Sequence, residues 1–148
     1  MKALIQHSGE SEVIIEGKEK RKIKSGLVIF LGITHDDTEK DVEYLINKIV
    51  NLRLFKDEDG KHFEKSLIEV NKEALIVSQF TLYAKCKKGR RPDFINAAKP
   101  ETAIPLYKKF IDKMKEKKVK VKTGEFGSMM EVKITNKGPI TIILDSNE

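Results

Sequence analysis

Apolar residues change their spacing along the chain, and these changes predict where the helices and strands lie. Residues 26–33, GLVIFLGI, form an unbroken apolar run, which is typical of a central strand that is buried on both faces. Between residues 34 and 55 the apolar positions instead recur every three or four residues, which predicts an amphipathic helix. The apolar face of this helix consists of Val42, Leu45, Ile46, Ile49 and Val50.

A second amphipathic helix is predicted within residues 100–118. Its apolar stripe consists of Ile104, Tyr107, Phe110, Ile111 and Met114, and such helical spacing usually marks core packing. Pro100 suits the position just before the first turn. Pro105 is compatible only with a helix that begins at that residue, because proline inside a helix removes a backbone hydrogen bond and clashes with the preceding turn.

The remaining apolar segments have the alternation or the composition of β-strands. Two short strands are predicted around a turn at Ser8-Gly9, one long strand in residues 73–84, and three strands in residues 119–126, 127–136 and 139–146. Runs of strands with only two helices favour the α+β class. Since no linker-like segment divides the chain, we expect residues 1–148 to form a single compact domain. In it, a mixed or antiparallel, β-barrel-like sheet would carry two main helices on its outside.

The chain carries a formal net charge of +6 and has a sequence pI near 9.3. An excess of this size favours a polyanionic partner such as nucleic acid, although lysine-rich compositions are also common in proteins from hot environments. No apolar run is long enough to cross a membrane, and the N-terminal residues resemble a first strand rather than a signal peptide. We therefore expect a cytoplasmic protein without a membrane partner.

Several classes of enzyme find no support in the sequence. It contains no GxGxxG or GxxxxGK[ST] phosphate-binding motif, no GxSxG nucleophile motif and no HExxH metal motif. Cys86 is the only cysteine, and His7, His35 and His62 lack the spacing of metal ligands. The residues therefore indicate neither a disulfide nor a metal site, and they imply no cofactor.

Polar and basic residues follow one another directly after the strand predicted in the middle of the chain. Ser78, Gln79 and Thr81 place hydrogen-bonding groups around Phe80, which could pack in the core or stack on a base. The cations Lys87, Lys88, Arg90 and Arg91 come next, within the loop KCKKGRRPDF. Together they suit a site that holds a phosphate backbone beside a polar pocket. The alternatives are an ordinary strand with one polar face and a solvated cluster of charges.

Gly138 and Pro139 stand at the start of the last apolar run. Proline is confined to first positions, edges or bulges of strands, and glycine serves where the backbone bends sharply or approaches a ligand closely. Most Gly-Pro pairs are simple turns. The residues alone do not establish whether the peptide bond between these two is cis.

Three segments, SQFTLYA (78–84), KGRRPDF (88–94) and TGEFGSMMEVKITNKGPIT (123–141), resemble the D-aminoacyl-tRNA deacylase family. Residues 26–55 are also similar to the corresponding part of that family, and the resemblance runs from Met1 to about Asp145. It implies a homodimeric cytosolic enzyme with a compact, β-barrel-like fold. Such an enzyme hydrolyses the ester between a D-amino acid and the 3′-terminal adenosine of tRNA, which keeps D-residues out of translation.

The resemblance also implies roles for particular residues. Gly138 and Pro139 would form a Gly-cisPro selectivity element that enters the pocket of the other subunit and excludes L-amino acids. The pocket beside the adenosine and the ester would be lined by Ser78, Gln79, Phe80 and Thr81. Thr81 matches a threonine considered as a nucleophile, and the alternative is the 2′-hydroxyl of the terminal ribose assisted by backbone N–H groups. We favour the second, because no base within residues 78–81 could activate Thr81.

Two other functions remain open at this stage. A basic RNA-binding protein without catalysis fits the composition equally well, and it would bind tRNA but leave the ester intact. An editing module that removes a mischarged L-amino acid is the nearest enzymatic alternative. The absence of a synthetase domain from these residues argues against it.

Overall fold

The computed structural model describes residues 1–148 and contains eight strands, two α-helices and one 3₁₀ helix. In chain order these are β1 (Lys2–Ile15), β2 (Glu19–Ile23), β3 (Gly26–Gly32), α1 (Glu39–Asn51), β4 (Arg53–Phe55), β5 (Lys65–Ser66), β6 (Glu73–Ser78), the 3₁₀ helix (Phe80–Tyr83), α2 (Pro100–Glu116), β7 (Lys120–Thr123) and β8 (Met130–Asp145). No helix is both long and apolar enough to cross a membrane.

The main sheet is mixed, and it curls until its two ends nearly meet. β1 pairs antiparallel with β2, β3 and β8, whereas β3, β6 and β7 run parallel to one another. Arg21 of β2 donates from Nη1 to the carbonyl oxygens of Thr123 and Gly124, at 2.9 and 3.3 Å, and so joins β2 to the end of β7. The predicted single α+β domain with a barrel-like sheet is therefore confirmed.

The central strand β3 is covered on both faces, as its unbroken apolar run predicts. Leu27, Ile29 and Leu31 belong to the core cluster between the sheet and the two helices. Val28 points the other way, into a second cluster with Leu75 inside the curled sheet. The alternation follows from the two-residue period of a strand.

Both predicted helices are present on the outside of the sheet. α1 begins after Thr38, whose hydroxyl accepts a hydrogen bond from the backbone N–H of Lys40, and Asp41 completes a capping box. Its buried residues are the five predicted ones, Val42, Leu45, Ile46, Ile49 and Val50.

The prediction that Pro105 is compatible only with a helix beginning at that residue is wrong. α2 begins at Pro100 and continues through Pro105, which lies on its exposed side. The first turn buries Ala103, and the later turns bury Tyr107 and Phe110. Burial of this face outweighs the single backbone hydrogen bond that Pro105 cannot donate.

Three predictions about strands are also wrong. There is no turn at Ser8-Gly9, because β1 runs unbroken along β8 with bulges between Gln6 and Ser11. Residues 130–145 form one strand rather than parts of two, since irregularities in pairing absorb the Gly-Pro pair without ending β8. Finally, β6 stops at Ser78, and the chain turns into the 3₁₀ helix instead of continuing as a strand to residue 84.

Candidate functional site

The SQFT segment, residues 78–81, lies where β6 leaves the sheet. Ser78 still pairs with Leu31, and the N–H of Gln79 donates to the carbonyl of Leu31 at 2.8 Å. The following 3₁₀ helix then folds back over Gly32. A Cβ atom at Gly32 would stand only 3.0 Å from Leu82 Cβ and 3.1 Å from the Gln79 carbonyl oxygen. The glycine therefore allows this close approach of the segment to β3.

The hydroxyl of Thr81 has an amide as its partner and no base. Gln79 donates from Nε2 to Thr81 Oγ1, and both Thr81 and Phe80 are exposed. An amide group does not take up a proton near neutral pH, so this contact cannot activate the hydroxyl as a nucleophile. Phe80 and Thr81 begin the 3₁₀ helix, so their backbone N–H groups have no carbonyl partner within it. Such N–H groups can hold a developing negative charge.

The basic loop, residues 85–93, stands next to this segment. Its base is closed by two backbone hydrogen bonds between Lys85 and Asp93, at 2.7 and 2.9 Å. The next residue, Phe94, packs edge-on against Phe80 with ring centroids 5.0 Å apart. The side chains of Lys87, Lys88, Arg90 and Arg91 are exposed, and none forms an ion pair. The structure thus brings together the SQFT segment and the basic loop.

Gly138 and Pro139 lie in a bulge of β8. Gln6 pairs with Thr141 and Ser8 with Asn136, so the single residue His7 faces the four residues 137–140, which we call the Gly-Pro bulge. The Gly138-Pro139 peptide bond is cis, and both residues are exposed.

Two hydrogen bonds close the base of the Gly-Pro bulge, from the side-chain amides of Asn136 and Gln6 to Thr141 Oγ1, at 2.9 and 3.2 Å. Gly138 has φ +113°, and a Cβ there would lie 2.6 Å from Ile140 Cγ1. Only glycine fits this conformation without displacing its neighbour.

Within one chain, the structure does not bring the Gly-Pro bulge and the SQFT segment together. The bulge lies near the Gly26 end of β3 and is attached to β1, whereas Ser78 pairs with Leu31 at the other end of β3. Four to five residues along the strands and three strand spacings across them correspond to roughly 20 Å. One ester group cannot contact both elements of the same chain.

A pocket of about 580 Å³ opens beside the Gly-Pro bulge, and Gly138 is its only lining residue to which a role was assigned from the sequence. Among those lining it are His7, Ser8, Lys56, His62, Lys72 and Lys137. Burial lowers the pKa of the His7 imidazole below its usual value, and the nearby ammonium groups of Lys72 and Lys137 lower it further. No spacing rule could have joined these residues, because they come from segments far apart in the chain.

No part of the chain groups three or more His, Cys, Asp or Glu side chains closely enough to hold a metal ion. The exposed elements described above therefore offer backbone N–H groups, backbone carbonyls, amides, hydroxyls and cations. These groups suit binding a polyanion and stabilising charge on a reacting ester.

Comparisons with known proteins agree over the whole chain. The family described as D-Tyr-tRNA(Tyr) deacylase matches residues 4–145. A D-aminoacyl-tRNA deacylase of Thermus aquaticus is 52% identical over 148 residues, which cover 100% of this chain and 97% of the relative. A relative from Bacillus subtilis, 55% identical over 84% of this chain and 94% of its own length, is named an inactive D-aminoacyl-tRNA deacylase.

A solved structure titled "c-Myc DNA Unwinding Element Binding Protein" superimposes with a TM-score of 0.90. It is 41% identical in sequence, and the alignment covers 98% of each chain. The match of the family over residues 4–145 and the full-length similarity to its named members lead to one conclusion. The chain belongs to the D-Tyr-tRNA(Tyr) deacylase family.

Proposed function

We propose that this protein hydrolyses the ester bond of D-aminoacyl-tRNA in the cytoplasm and releases the free D-amino acid and tRNA. The observation that carries the proposal is that a chain which this family matches over residues 4–145 keeps part of each signature element exposed, Phe80 and Thr81 in one and Gly138 and Pro139 in the other. The SQFT segment offers the first N–H groups of its 3₁₀ helix, those of Phe80 and Thr81, and the Gly138-Pro139 pair stands out from β8. Both elements are accessible to a macromolecular substrate.

The chemical step is assigned to the substrate and the backbone rather than to Thr81. The 2′-hydroxyl of the terminal ribose assists the hydrolysis. The N–H groups of Phe80 and Thr81 hold the oxyanion that forms on the ester carbonyl. Ser78 and Gln79 position the terminal adenosine and the ester, and Phe80 provides a surface for stacking. The amide partner of Thr81 supports this assignment, since it is not a base.

Selection between D- and L-amino acids is assigned to Gly138 and Pro139 of a second subunit. The roughly 20 Å between the two elements of one chain supports a homodimer in which the bulge of one subunit enters the pocket of the other. Carbonyl oxygens facing the α-carbon would exclude an L side chain by clash and by desolvation. They need no specific contact with the D side chain.

Selection by exclusion has a consequence for glycine. Glycyl-tRNA has no side chain to clash, so it should be hydrolysed at a measurable rate. The measurement is glycyl-tRNA hydrolysis at the enzyme concentration that clears D-tyrosyl-tRNA. If glycyl-tRNA stays intact there, exclusion alone does not explain the selectivity.

Two observations keep a nucleic-acid-binding protein without catalysis as the second candidate. The basic loop carries four unpaired cations. In addition, the solved structure that is 41% identical to this chain is described as a binding protein of a DNA unwinding element. An editing module for L-amino acids is the third candidate. The three candidates differ in whether they hydrolyse the ester and in whether the D- or the L-ester is hydrolysed.

The deciding experiment is single-turnover deacylation of matched D-tyrosyl-tRNA and L-tyrosyl-tRNA. Loss of only the D-ester is the expected result. Loss of the L-ester instead would identify the editing module. Binding of tRNA with both esters left intact would identify the binding protein.

A further inference from the structure

The pocket beside the Gly-Pro bulge is strongly cationic. Lys56, Lys72 and Lys137 line it together with His7 and His62, and no acidic residue is among its lining residues. None of the three ammonium groups takes part in an ion pair. Elsewhere on the surface, Lys61, Lys65 and Lys133 pair with glutamates. Here three lysines converge without a counter-charge, which favours an anionic ligand.

Two polar side chains of the pocket lack a partner inside the protein. Ser8 is 1% exposed, and its Oγ makes no hydrogen bond. The Nδ1 atom of His7 is also buried and without a partner. Buried polar groups are nearly always satisfied, so such orphans call for an explanation. A bound oxyanion would accept a hydrogen bond from the Ser8 hydroxyl and from a protonated His7.

The size of the pocket and its apolar surfaces suit more than an inorganic ion. Leu54, Phe55, Val70 and Ile140 line it beside the polar residues, and its volume is about 580 Å³. Lys72 lies over the ring of Phe55 at 5.3 Å, and His7 meets the same ring edge-on at 4.7 Å. The cations suit the phosphate of a nucleotide, and the apolar surface suits the nucleoside attached to it.

We infer that this pocket binds a phosphate group of a nucleotide in the single-stranded 3′ end of the tRNA. The assignment to tRNA rests on the proposed function. Gly138 lines the pocket and belongs to the pair that is proposed to face the aminoacyl ester. A phosphate bound here therefore lies within a short stretch of the nucleotide that carries the ester. Lys56, Lys72 and Lys137 bind the phosphate, and Ser8 and His7 complete its hydrogen bonds.

Binding is tested first without any ester. The ring signals of His7 are followed by NMR against pH, alone and with a 5′-phosphorylated CCA trinucleotide, a mixture of cytidine and adenosine, which contains no phosphate, or inorganic phosphate. The phosphorylated trinucleotide should bind most tightly and should raise the pKa of His7, because a nearby negative charge favours the imidazolium. Equal binding of the nucleosides would overturn the phosphate assignment. Binding of inorganic phosphate alone would overturn the nucleotide assignment.

Variants then locate the site. Lys56→Gln/Lys72→Gln should weaken binding of the phosphorylated trinucleotide about tenfold, and Ser8→Ala should weaken it about threefold. The matched control is Lys40→Gln/Lys115→Gln, which removes the same charge from two exposed lysines outside ion pairs and outside the pocket. If the pocket variant binds like this control, the inference is wrong.

Kinetics separate this inference from the proposed function. With D-tyrosyl-tRNA, Lys56→Gln/Lys72→Gln should raise KM about tenfold and leave kcat unchanged, since the phosphate is held equally before and during the reaction. Hydrolysis with KM equal to that of the control would refute the pocket and keep the deacylase. Trinucleotide binding without hydrolysis of any ester would refute the deacylase and keep the phosphate site.

Discussion

Thr81 carries a hydroxyl group at the centre of the SQFT segment, yet its partner is the amide of Gln79. Because the proposed chemistry uses the backbone and the ribose, Thr81→Ala should keep single-turnover hydrolysis of D-tyrosyl-tRNA within about tenfold of the wild-type rate. Thr102→Ala, an exposed threonine at the start of α2, is the matched control. A loss of about a thousandfold or more would make Thr81 the nucleophile after all.

His7 makes the stability of the fold depend on pH. Its pKa is lowered from 6.5, first by burial and then by Lys72 and Lys137, while the carbonyl of Lys137 acts in the opposite direction. The unfolded chain therefore binds a proton on His7 at a higher pH than the folded chain does. Stability should be unaffected by His7 well above pH 6.5 and should fall as the pH decreases below that value.

Urea unfolding at a series of pH values measures this effect. His7→Gln, which cannot take up a proton, should lose stability less steeply than the wild type below pH 6.5. Above pH 7.5 the difference between the two proteins should stay constant. Parallel curves over the whole range would show that His7 does not titrate differently in the folded and unfolded states.

Among the elements, the helices and the central strand were predictable and the long strands were not. The 3.6-residue period of α1 and the apolar run of β3 are local signals, and both are confirmed. β1 and β8 look broken in sequence because Ser8-Gly9 and Gly138-Pro139 resemble turns. They continue because each strand pairs along the other, with the excess residues in bulges. That pairing joins segments more than a hundred residues apart, which no local pattern reveals.

The candidate site was likewise predictable from the sequence only in part. The resemblance pointed to the SQFT segment, the basic loop and the Gly-Pro pair. The basic loop and the Gly-Pro pair are exposed, as are Phe80 and Thr81, whereas Ser78 and Gln79 are half-buried. Whether these three elements act as expected stays a prediction. The end of β6 at Ser78 was missed, because the polar alternation of residues 78–84 fits a strand as well as a 3₁₀ helix. The cationic pocket could not be found from the sequence, since the bulge assembles it from separate elements.

The Gly-Pro bulge depends on the backbone conformation of Gly138. With φ at +113° and Ile140 Cγ1 2.6 Å from the position of an added Cβ, Gly138→Ala must shift the bulge. We expect the D-tyrosyl-tRNA rate to fall at least about tenfold, because displaced carbonyls no longer fit the substrate. Gly60→Ala is the matched control, since Gly60 has φ +81° with open space around it. Both variants should lose about 1 kcal/mol of stability or more, but only Gly138→Ala should lose activity.

The basic loop should contribute to affinity and not to stereochemistry. Arg90→Ala/Arg91→Ala should weaken tRNA binding and reduce the slope of log affinity against log salt by about 1.4 to 1.8, which is two phosphate contacts. The ratio of D- to L-tyrosyl-tRNA hydrolysis should not change. Lys40→Ala/Arg53→Ala removes two exposed charges elsewhere and serves as the control. A change in the D/L ratio would show that the loop takes part in selection.

At the scale of the whole molecule, charge is distributed unevenly. Lysines next to glutamates form pairs along β2, β8 and the helices. Two groups of unpaired cations lie in the basic loop and in the pocket beside the Gly-Pro bulge. These two regions lie at opposite ends of β3 within one chain, as do the two proposed halves of the active site. A dimer that joins the SQFT segment of one subunit to the bulge of the other would place both basic regions beside the same tRNA.

A mixing experiment tests that arrangement directly. Gly138→Val blocks the bulge, and Phe80→Asp places a negative charge beside the proposed ester site, so each variant alone should be inactive on D-tyrosyl-tRNA. If the site is shared between subunits, unfolding and refolding the two together forms dimers of which half are mixed. Each mixed dimer has one intact site out of two, so the mixture should recover about a quarter of wild-type activity. Analytical ultracentrifugation confirms that dimers form. If each chain instead used its own bulge, every site would contain a substitution and no activity would return.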